Sequence, residues 1–287
     1  LGTGDVRFRT PGGFLLVLCA GCGIVRTDPQ PEDPSAFYPP SDYYSFSPPP
    51  PPSAGDVARV RRSAGLPSRG WRGRVLASRL TEGIPPGPPG DVLDVGCGSG
   101  RALLALRSAG WRCHGVEVSE AAVAAARAAG LADVRSGDLL SAGYPPESFD
   151  AVRFWHSLEH VRSPRAELTE ARRLLRPGGV LVVGVPNFAS LLSRVARDRW
   201  FYLDVPRHLW HFERVTLTRL VEDCGFRVTH AGWRSTGTAL LGTIDLVRGR
   251  GEVALASRLA WRAALPVAVL LDAARLGDAL LVTAVGA

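Results

Sequence analysis

Ten residues, DVLDVGCGSG at positions 91–100, constrain the fold of this 287-residue chain more than any other stretch. Their apolar first half predicts a buried strand, which runs directly into three alternating glycines, Gly96, Gly98 and Gly100. Residues 101–110 place leucines on one helical face and end in a glycine, so they predict a helix packed on the sheet. Glycines allow positive φ and let a ligand approach the main chain beside the first turn of a helix. The stretch therefore predicts a strand, turn and helix that bind a nucleotide-like ligand.

The spacing of these glycines selects among nucleotide cofactors. A dinucleotide fingerprint, G-x-G-x-x-G, would need a glycine where this chain has Arg101, so a nicotinamide cofactor is disfavoured. The stretch resembles motif I of the class I S-adenosylmethionine-dependent methyltransferases, and this resemblance implies S-adenosyl-L-methionine as the cofactor. It also implies an α/β fold, namely a Rossmann-like doubly wound sheet of seven strands whose last strand is antiparallel.

The segments that follow carry the same resemblance. A second strand at 111–118 ends in Glu117, an acid that accepts the ribose hydroxyls in this family, although nicotinamide enzymes use the same position. A third strand leads to G-D-L at 137–139, where the family places an acid against the adenine amine and an apolar residue on the ring. F-D-A-V at 149–152 opens a fourth strand, and L-R-P-G-G at 175–179 resembles the family's turn before a fifth strand from Val180. The resemblance thus implies a cofactor site that contains Asp94, Gly96, Cys97, Gly98, Gly100, Glu117, Val118, Asp138, Leu139 and Trp155.

The sequence H-S-L-E-H-V at 156–161 follows the fourth strand, and ligands of open α/β sheets bind outside the carboxyl ends of the strands. It is not the N-P-P-Y or D-P-P-Y motif of enzymes that methylate base amines of DNA. It resembles the small-molecule group, which includes quinone O-methyltransferases. Transfer to a hydroxyl requires a base, and histidine suits this role near neutral pH. Our candidates are His160, His156 and His208, in that order, with Glu159 orienting one of them; a supporting role in the core is the alternative for each.

Two parts of the chain bear on metal binding. Some relatives hold a divalent metal after the fourth strand with acids and a histidine, but here His156 replaces their first acid, which argues against a metal. Near the amino terminus, Cys19-x-x-Cys22 resembles the second half of the zinc-binding ribbon that precedes some small-molecule methyltransferases, including sugar C-methyltransferases. The first half would then precede Leu1, and the lack of any Met also predicts residues before Leu1. We therefore predict either half of a structural zinc site or a free pair of reduced thiols.

These segments predict three parts of the chain. Residues 1–47 form a partial zinc-ribbon-like segment with a small β-hairpin and knuckle, and residues 48–55 form a Pro-rich linker. The methyltransferase domain occupies 56–287 and begins with two cover helices. A segment at 187–212 is longer than a strand-to-helix link requires, and it resembles the P-R-H-L lid with which related enzymes close the active site.

Composition limits the choice of partners. The net charge is +7, but every basic side chain is an arginine and Ala, Gly and Pro abound, which indicates GC-rich codon usage rather than a nucleic-acid partner. No apolar run approaches the roughly 20 residues that cross a bilayer, and no signal peptide is recognisable, so we predict a cytoplasmic protein. Residues 253–276 are amphipathic; core packing or a homodimer interface is favoured there over peripheral membrane contact.

We predict S-adenosylmethionine-dependent methyl transfer to a small-molecule acceptor, preferably a hydroxyl of a metabolite, sugar or quinone-like compound. One alternative is an RNA methyltransferase, for which the chain lacks a basic platform interleaved with aromatic residues. Another is a non-catalytic module that binds a protein partner. The intact acids and glycines of the cofactor motifs argue against this second alternative.

Overall fold

A computed structural model describes residues 2–3, 12–38, 89–235, 237–249 and 258–286 of the chain. The predicted Pro-rich linker at 48–55 and the predicted cover helices lie outside the described residues. The strands within these ranges are β1 (Gly2–Thr3), β2 (Phe14–Leu18), β3 (Val25–Asp28), β4 (Asp91–Val95), β5 (Arg112–Glu117), β6 (Val134–Ser136), β7 (Phe149–Trp155), β8 (Leu175–Pro186), β9 (Trp210–His211), β10 (Phe226–Trp233) and β11 (Ala279–Gly286). The α-helices within them are α1 (Arg101–Ser108), α2 (Glu120–Ala128), α3 (Pro164–Leu174), α4 (Leu191–Ala196), α5 (Arg214–Asp223), α6 (Gly237–Val247) and α7 (Arg258–Ala273).

The main sheet has seven strands in the order β10-β11-β8-β7-β4-β5-β6. The pairs β4 with β5, β4 with β7, β5 with β6, and β7 with β8 are parallel, whereas β11 pairs antiparallel with both β8 and β10. This topology confirms the predicted seven-stranded sheet with an antiparallel last strand. Strand order reverses between β4 and β7, which is where open α/β sheets bind their ligands.

The core explains why the central strands read as continuous apolar runs. Every residue of β4 is buried, as expected of a parallel strand covered by helices on both faces. The buried face of α1 packs on one side of the sheet and consists of Leu103, Leu104 and Leu106. Leu168 and Leu174 of α3 belong to the main core cluster with Phe154 of β7. None of the described helices is long and apolar enough to span a bilayer.

Strand β8 begins earlier than the sequence predicts. We expected a turn at 175–179 followed by a strand from Val180, but β8 starts at Leu175, which pairs with Phe149. The next pair joins Ala151 to Val180, so the intervening residues form an irregular bulge inside the strand. The predicted boundary was wrong because β8 pairs with β7 on both sides of Gly178 and Gly179, at Leu175 and again from Val180.

A second, antiparallel sheet has the order β1-β2-β3-β9 and joins two distant parts of the sequence. Strand β9 lies in the predicted lid segment, residues 187–212, and pairs with β3 of the N-terminal hairpin. Phe14 of β2 packs against Trp200 in a small apolar cluster, and Trp200 is buried there. The N-terminal hairpin and the lid segment therefore fold against each other.

A buried acid on α3 gives a test of the packing. The pKa of Glu167 is raised to about 7 because burial disfavours its charged form, and the negative charge of Asp138 adds to this. The folded state therefore keeps the proton up to about pH 7, whereas the unfolded chain releases it near the ordinary value of 4.5. Wild type should lose stability as the pH rises through this window, and Glu167→Gln should lose less, because only the contribution of Glu167 is removed; the difference is on the order of 2 kcal/mol above pH 7. Urea denaturation of both proteins from pH 4.5 to 8 measures this difference. The same change in the free energy of unfolding with pH for the two proteins would contradict it.

Candidate active site

The glycine loop after β4 has the open backbone that the sequence predicts. Gly96, Gly98 and Gly100 have φ angles of 74°, 53° and 81°, in the region that side chains disfavour. A Cβ at Gly96 would lie 2.5 Å from the Cβ of Ser157, the residue two positions after β7. Glycine at 96 therefore brings the loop against the segment that carries the candidate bases. Cys97 is buried in this loop, and burial raises the pKa of its thiol.

Glu117, at the end of β5, holds the loop in place. Its Oε2 accepts a hydrogen bond from the Gly98 N–H at 2.8 Å, and its Oε1 accepts one from the Ser119 N–H at 2.9 Å. The carboxylate is buried, yet each of its oxygens has a further lone pair with which to accept a hydroxyl. Asp94 forms a buried ion pair with Arg153 of β7, with 2.7 Å between Oδ2 and Nη1, which ties the two strands at the switch point.

The other predicted cofactor residues differ in exposure. Val118 is 72% exposed, and Asp138 is exposed with its Oδ1 accepting a hydrogen bond from the Ser141 N–H at 2.8 Å. Leu139 is buried in the main core cluster. Trp155 is half-buried at the end of β7, where the absence of a side chain at Gly184 leaves room for its indole ring. Their contacts with a cofactor stay predictions.

The candidate bases lie together after β7. His156 has a φ of 53°, and its Nδ1 is 3.3 Å from Oε1 of Glu159. His208, on the lid segment, has its Nε2 3.9 Å from the same oxygen. The rings of His160 and His208 meet edge to face with centroids 4.6 Å apart. The structure thus brings together all four residues predicted for catalysis.

Hydrogen bonds to backbone carbonyls indicate the tautomers of two of these histidines. The Nδ1 of His160 is 3.0 Å from the carbonyl oxygen of Arg207, and the Nδ1 of His208 is 2.8 Å from that of Tyr202. Because a carbonyl oxygen only accepts hydrogen bonds, we assign the proton of each neutral ring to Nδ1. Burial and the neighbouring His160 lower the pKa of His208 to about 4, so it is neutral at physiological pH. In its neutral form each ring therefore keeps a lone pair on Nε2.

Glu159 supplies a charged acceptor beside these rings. Its side chain is fully buried, which by itself would raise its pKa, but the hydrogen bond with His156 and the nearby histidines lower that pKa overall. Its Oε2 has no hydrogen-bond partner among the described residues. Buried carboxylate oxygens are stabilised by donors or cations, so this oxygen suits a donor that a ligand brings to the site.

Comparison with known proteins identifies the family. Residues 69–231 match the family description "Methyltransferase domain", and this match covers more than half of the chain. The chain belongs to this methyltransferase family. The glycine loop, Glu117 and the histidine cluster, including His208 on the lid segment, all lie within the matched region.

Individual relatives resemble parts of this chain. A Mycolicibacterium smegmatis protein named "Probable S-adenosylmethionine-dependent methyltransferase" is 34% identical over 139 residues, which are 48% of this chain and 52% of that protein. The ubiquinone biosynthesis O-methyltransferase of Idiomarina loihiensis is 34% identical over 102 residues, which are 33% of this chain and 42% of that protein. The chain therefore spans about half or less of these relatives. A SAM-dependent methyltransferase from Archaeoglobus fulgidus has the same fold, with a TM-score of 0.51 at 22% identity over 80% of this chain and 92% of that one.

The predicted zinc ligands of the methyltransferase chain lie at the tip of the N-terminal hairpin. Cys19 is exposed, Cys22 is half-buried, and both are free thiols. Hydrogen bonds from the backbone and side chain of Cys22 lower the pKa of Cys19. Within the described ranges, a cluster of three or more metal-ligand side chains is found at Glu159, His160 and His208, not at the cysteines. Zinc at Cys19 and Cys22 stays a prediction.

The sequence did not point to the residues that hold the histidines in place. Thr27 of β3 is fully buried; its Oγ1 donates to the His208 carbonyl at 2.7 Å and lies 3.0 Å from Nε2 of His211. Tyr202 stacks on His156, with ring centroids 5.2 Å apart and planes 24° apart. Arg207 forms a buried ion pair with Asp204 at 2.8 Å. Tyr202 lies among other aromatic residues of the lid segment, but no local pattern indicates these long-range contacts.

Proposed function

We propose that the protein transfers the methyl group of S-adenosyl-L-methionine to a hydroxyl of a small molecule, with His160 as the base. One observation carries this proposal: His156, His160 and the buried carboxylate of Glu159 lie in the segment that packs against the glycine loop at Ser157. Ser157 lies between His156 and Glu159 in the chain. Its contact with Gly96 therefore sets the distance between these side chains and the glycine loop. A nucleotide-type loop and a proton acceptor thus share one end of the sheet.

The residues of the loop fit this cofactor. The positive-φ glycines expose main-chain atoms to a ligand, and the carboxylate of Glu117 has lone pairs for ribose hydroxyls. When bound, the cofactor supplies a methyl group already activated on a sulfonium. The protein then has to align the acceptor oxygen and remove its proton.

The histidine cluster supports the proton-transfer step. His160 Nε2 accepts the proton of the acceptor hydroxyl, while Nδ1 stays bonded to the Arg207 carbonyl. The ionised Glu159 stabilises the positive charge that forms on the imidazole ring. His208 stays neutral because of its lowered pKa and serves as a second hydrogen-bond acceptor for the hydroxyl.

Enclosure of the site favours a small acceptor over a macromolecule. Glu159, His208 and His211 are all buried, and the lid segment is fixed to the N-terminal hairpin through β3 and β9. The named activity of the Idiomarina loihiensis relative, an O-methyltransferase of ubiquinone biosynthesis, supports a hydroxyl as the acceptor group. A site closed by the lid also excludes water from the sulfonium.

Calorimetric titration with S-adenosylhomocysteine, with NAD as the control ligand, tests the cofactor first. We expect micromolar binding of S-adenosylhomocysteine and none of NAD; the reverse result would overturn the proposal.

The second experiment incubates the protein with S-adenosylmethionine and a panel of phenols, hydroquinones and sugars and measures S-adenosylhomocysteine release. Methylation confined to amines, thiols or carbon atoms in a broader panel would overturn the choice of a hydroxyl.

A further inference from the structure

Tyr38 links the N-terminal segment to the candidate base. It follows the short 3-10 helix Pro34–Phe37, and its hydroxyl lies 2.9 Å from Nδ1 of His160, 122 residues later in the chain. Burial and the negative charge of Asp204 raise the pKa of the phenol above its usual range, so it stays protonated. The phenol is therefore a neutral hydrogen-bonding group on the side of the ring away from Nε2.

Two oxygen atoms share the same ring nitrogen. The Nδ1 of His160 is 3.0 Å from the Arg207 carbonyl and 2.9 Å from the Tyr38 hydroxyl. If Nδ1 were unprotonated, its lone pair would face the carbonyl lone pairs, which is repulsive. With the proton on Nδ1, both oxygens act as acceptors of the same N–H. The arrangement therefore favours the tautomer in which Nε2 is free.

Arg207, whose carbonyl accepts from His160, also binds the segment that carries Tyr38. The guanidinium of Arg207 donates from Nη1 to the Phe37 carbonyl at 3.0 Å, and its Nε and Nη2 donate to Oδ1 of Asp204 at 3.0 and 2.8 Å. Arg207 is itself fully buried. The two acceptors of the His160 N–H are thus linked through the Arg207 side chain.

We propose that Tyr38 is a positioning residue for methyl transfer: together with the Arg207 carbonyl, its hydroxyl oxygen accepts from Nδ1–H of His160 and fixes the ring, so that Nε2 accepts the proton of the acceptor hydroxyl. This inference rests on the proposed function, with His160 as the base. As Nε2 takes up the proton, the Nδ1–H bonds to Tyr38 and Arg207 strengthen and stabilise the imidazolium. The N-terminal segment then belongs to the catalytic machinery and is more than an appended ribbon.

The first test observes the tautomer without turnover. Long-range ¹H–¹⁵N spectra separate protonated from unprotonated ring nitrogens, and the chain has six histidines, so the loss of one signal in His160→Gln assigns the residue. We expect wild type to have protonated Nδ1 and free Nε2 at His160. Tyr38→Phe should keep the proton on Nδ1, because the Arg207 carbonyl remains as an acceptor, but should shift the ¹H and ¹⁵N signals of the Nδ1–H group, which loses one of its two acceptors. Tyr144→Phe, a buried tyrosine in the core beside Phe149, is the matched control and should leave the His160 signals unchanged.

The second test uses kinetics with the acceptor found by the panel. Tyr38→Phe should lower kcat roughly fivefold with KM unchanged, the size expected from one hydrogen bond. In a His160→Gln background the same change should have no further effect, because both substitutions act on one group. An equal loss of kcat in the wild-type and His160→Gln backgrounds would refute the positioning role. Unchanged His160 signals in Tyr38→Phe would also refute it. A wild type that methylates nothing would instead refute the proposed function, while the spectra still report the tautomer.

Discussion

His160→Gln is expected to lower kcat by about 10²–10⁴-fold and to leave the affinity for S-adenosylhomocysteine unchanged. Glutamine keeps a polar side chain of similar length but accepts no proton near neutral pH. The Nδ1 of His160 is held by the Arg207 carbonyl, so its Nε2 is the acceptor that the proposed reaction needs. Steady-state kinetics with the acceptor from the panel and calorimetry with S-adenosylhomocysteine measure the two quantities.

His114→Gln is the matched control for this substitution. His114 lies in β5 and bonds through Nδ1 to Asp133 at 2.6 Å, outside the histidine cluster, so turnover should stay at the wild-type level. A His160→Gln variant with full turnover would show that His160 is not the base. In that case the same experiment on His156 and His208 would identify which of them removes the proton.

Gly96→Ala is expected to weaken S-adenosylhomocysteine binding by more than about 100-fold. The new Cβ would lie 2.5 Å from the Cβ of Ser157, and the residue would hold a φ of 74°. Both effects displace the loop from the carboxylate of Glu117, which bonds to the Gly98 N–H. Calorimetric titration measures the loss of affinity.

Two variants separate the steric clash from the backbone strain. Gly143→Ala places a side chain at a similar φ of 68° with nothing within 4 Å, so it should cost only about 1 kcal/mol of stability and leave binding unchanged. Gly96→Ala combined with Ser157→Gly removes the atom that the new Cβ would meet and should recover part of the affinity. Full binding by Gly96→Ala alone would mean that the loop does not need its close approach to Ser157.

The positions of the glycine loop and of Glu117 were largely predictable because these residues lie next to the strands that carry them. Alternation of apolar runs with glycine turns located β4 and β5, and the acid at the end of β5 is Glu117. His156, Glu159 and His160 follow β7 within five residues, so a correct strand boundary was enough to place them together. Family resemblance supplied the roles, and the sheet topology then confirmed the fold.

The boundary of β8 and the contacts of the lid segment were not predictable in the same way. Gly178 and Gly179 read as a turn, but pairing of Leu175 with Phe149 keeps these glycines inside the strand. Strand β9 has two residues, which is too short for any periodic pattern. Its pairing with β3 depends on a hairpin that lies more than 180 residues earlier.

The α/β sheet, the glycine loop with its acid, and the histidines after the fourth strand can each be predicted from residues that are close together in the chain. The groups that complete the site come from distant parts of the chain and are known only from the folded structure. Thr27 and Tyr38 reach His208 and His160 through contacts that span 181 and 122 residues. Such contacts arise because buried polar groups must find partners once the core has formed, and no local sequence pattern specifies which partner is nearest.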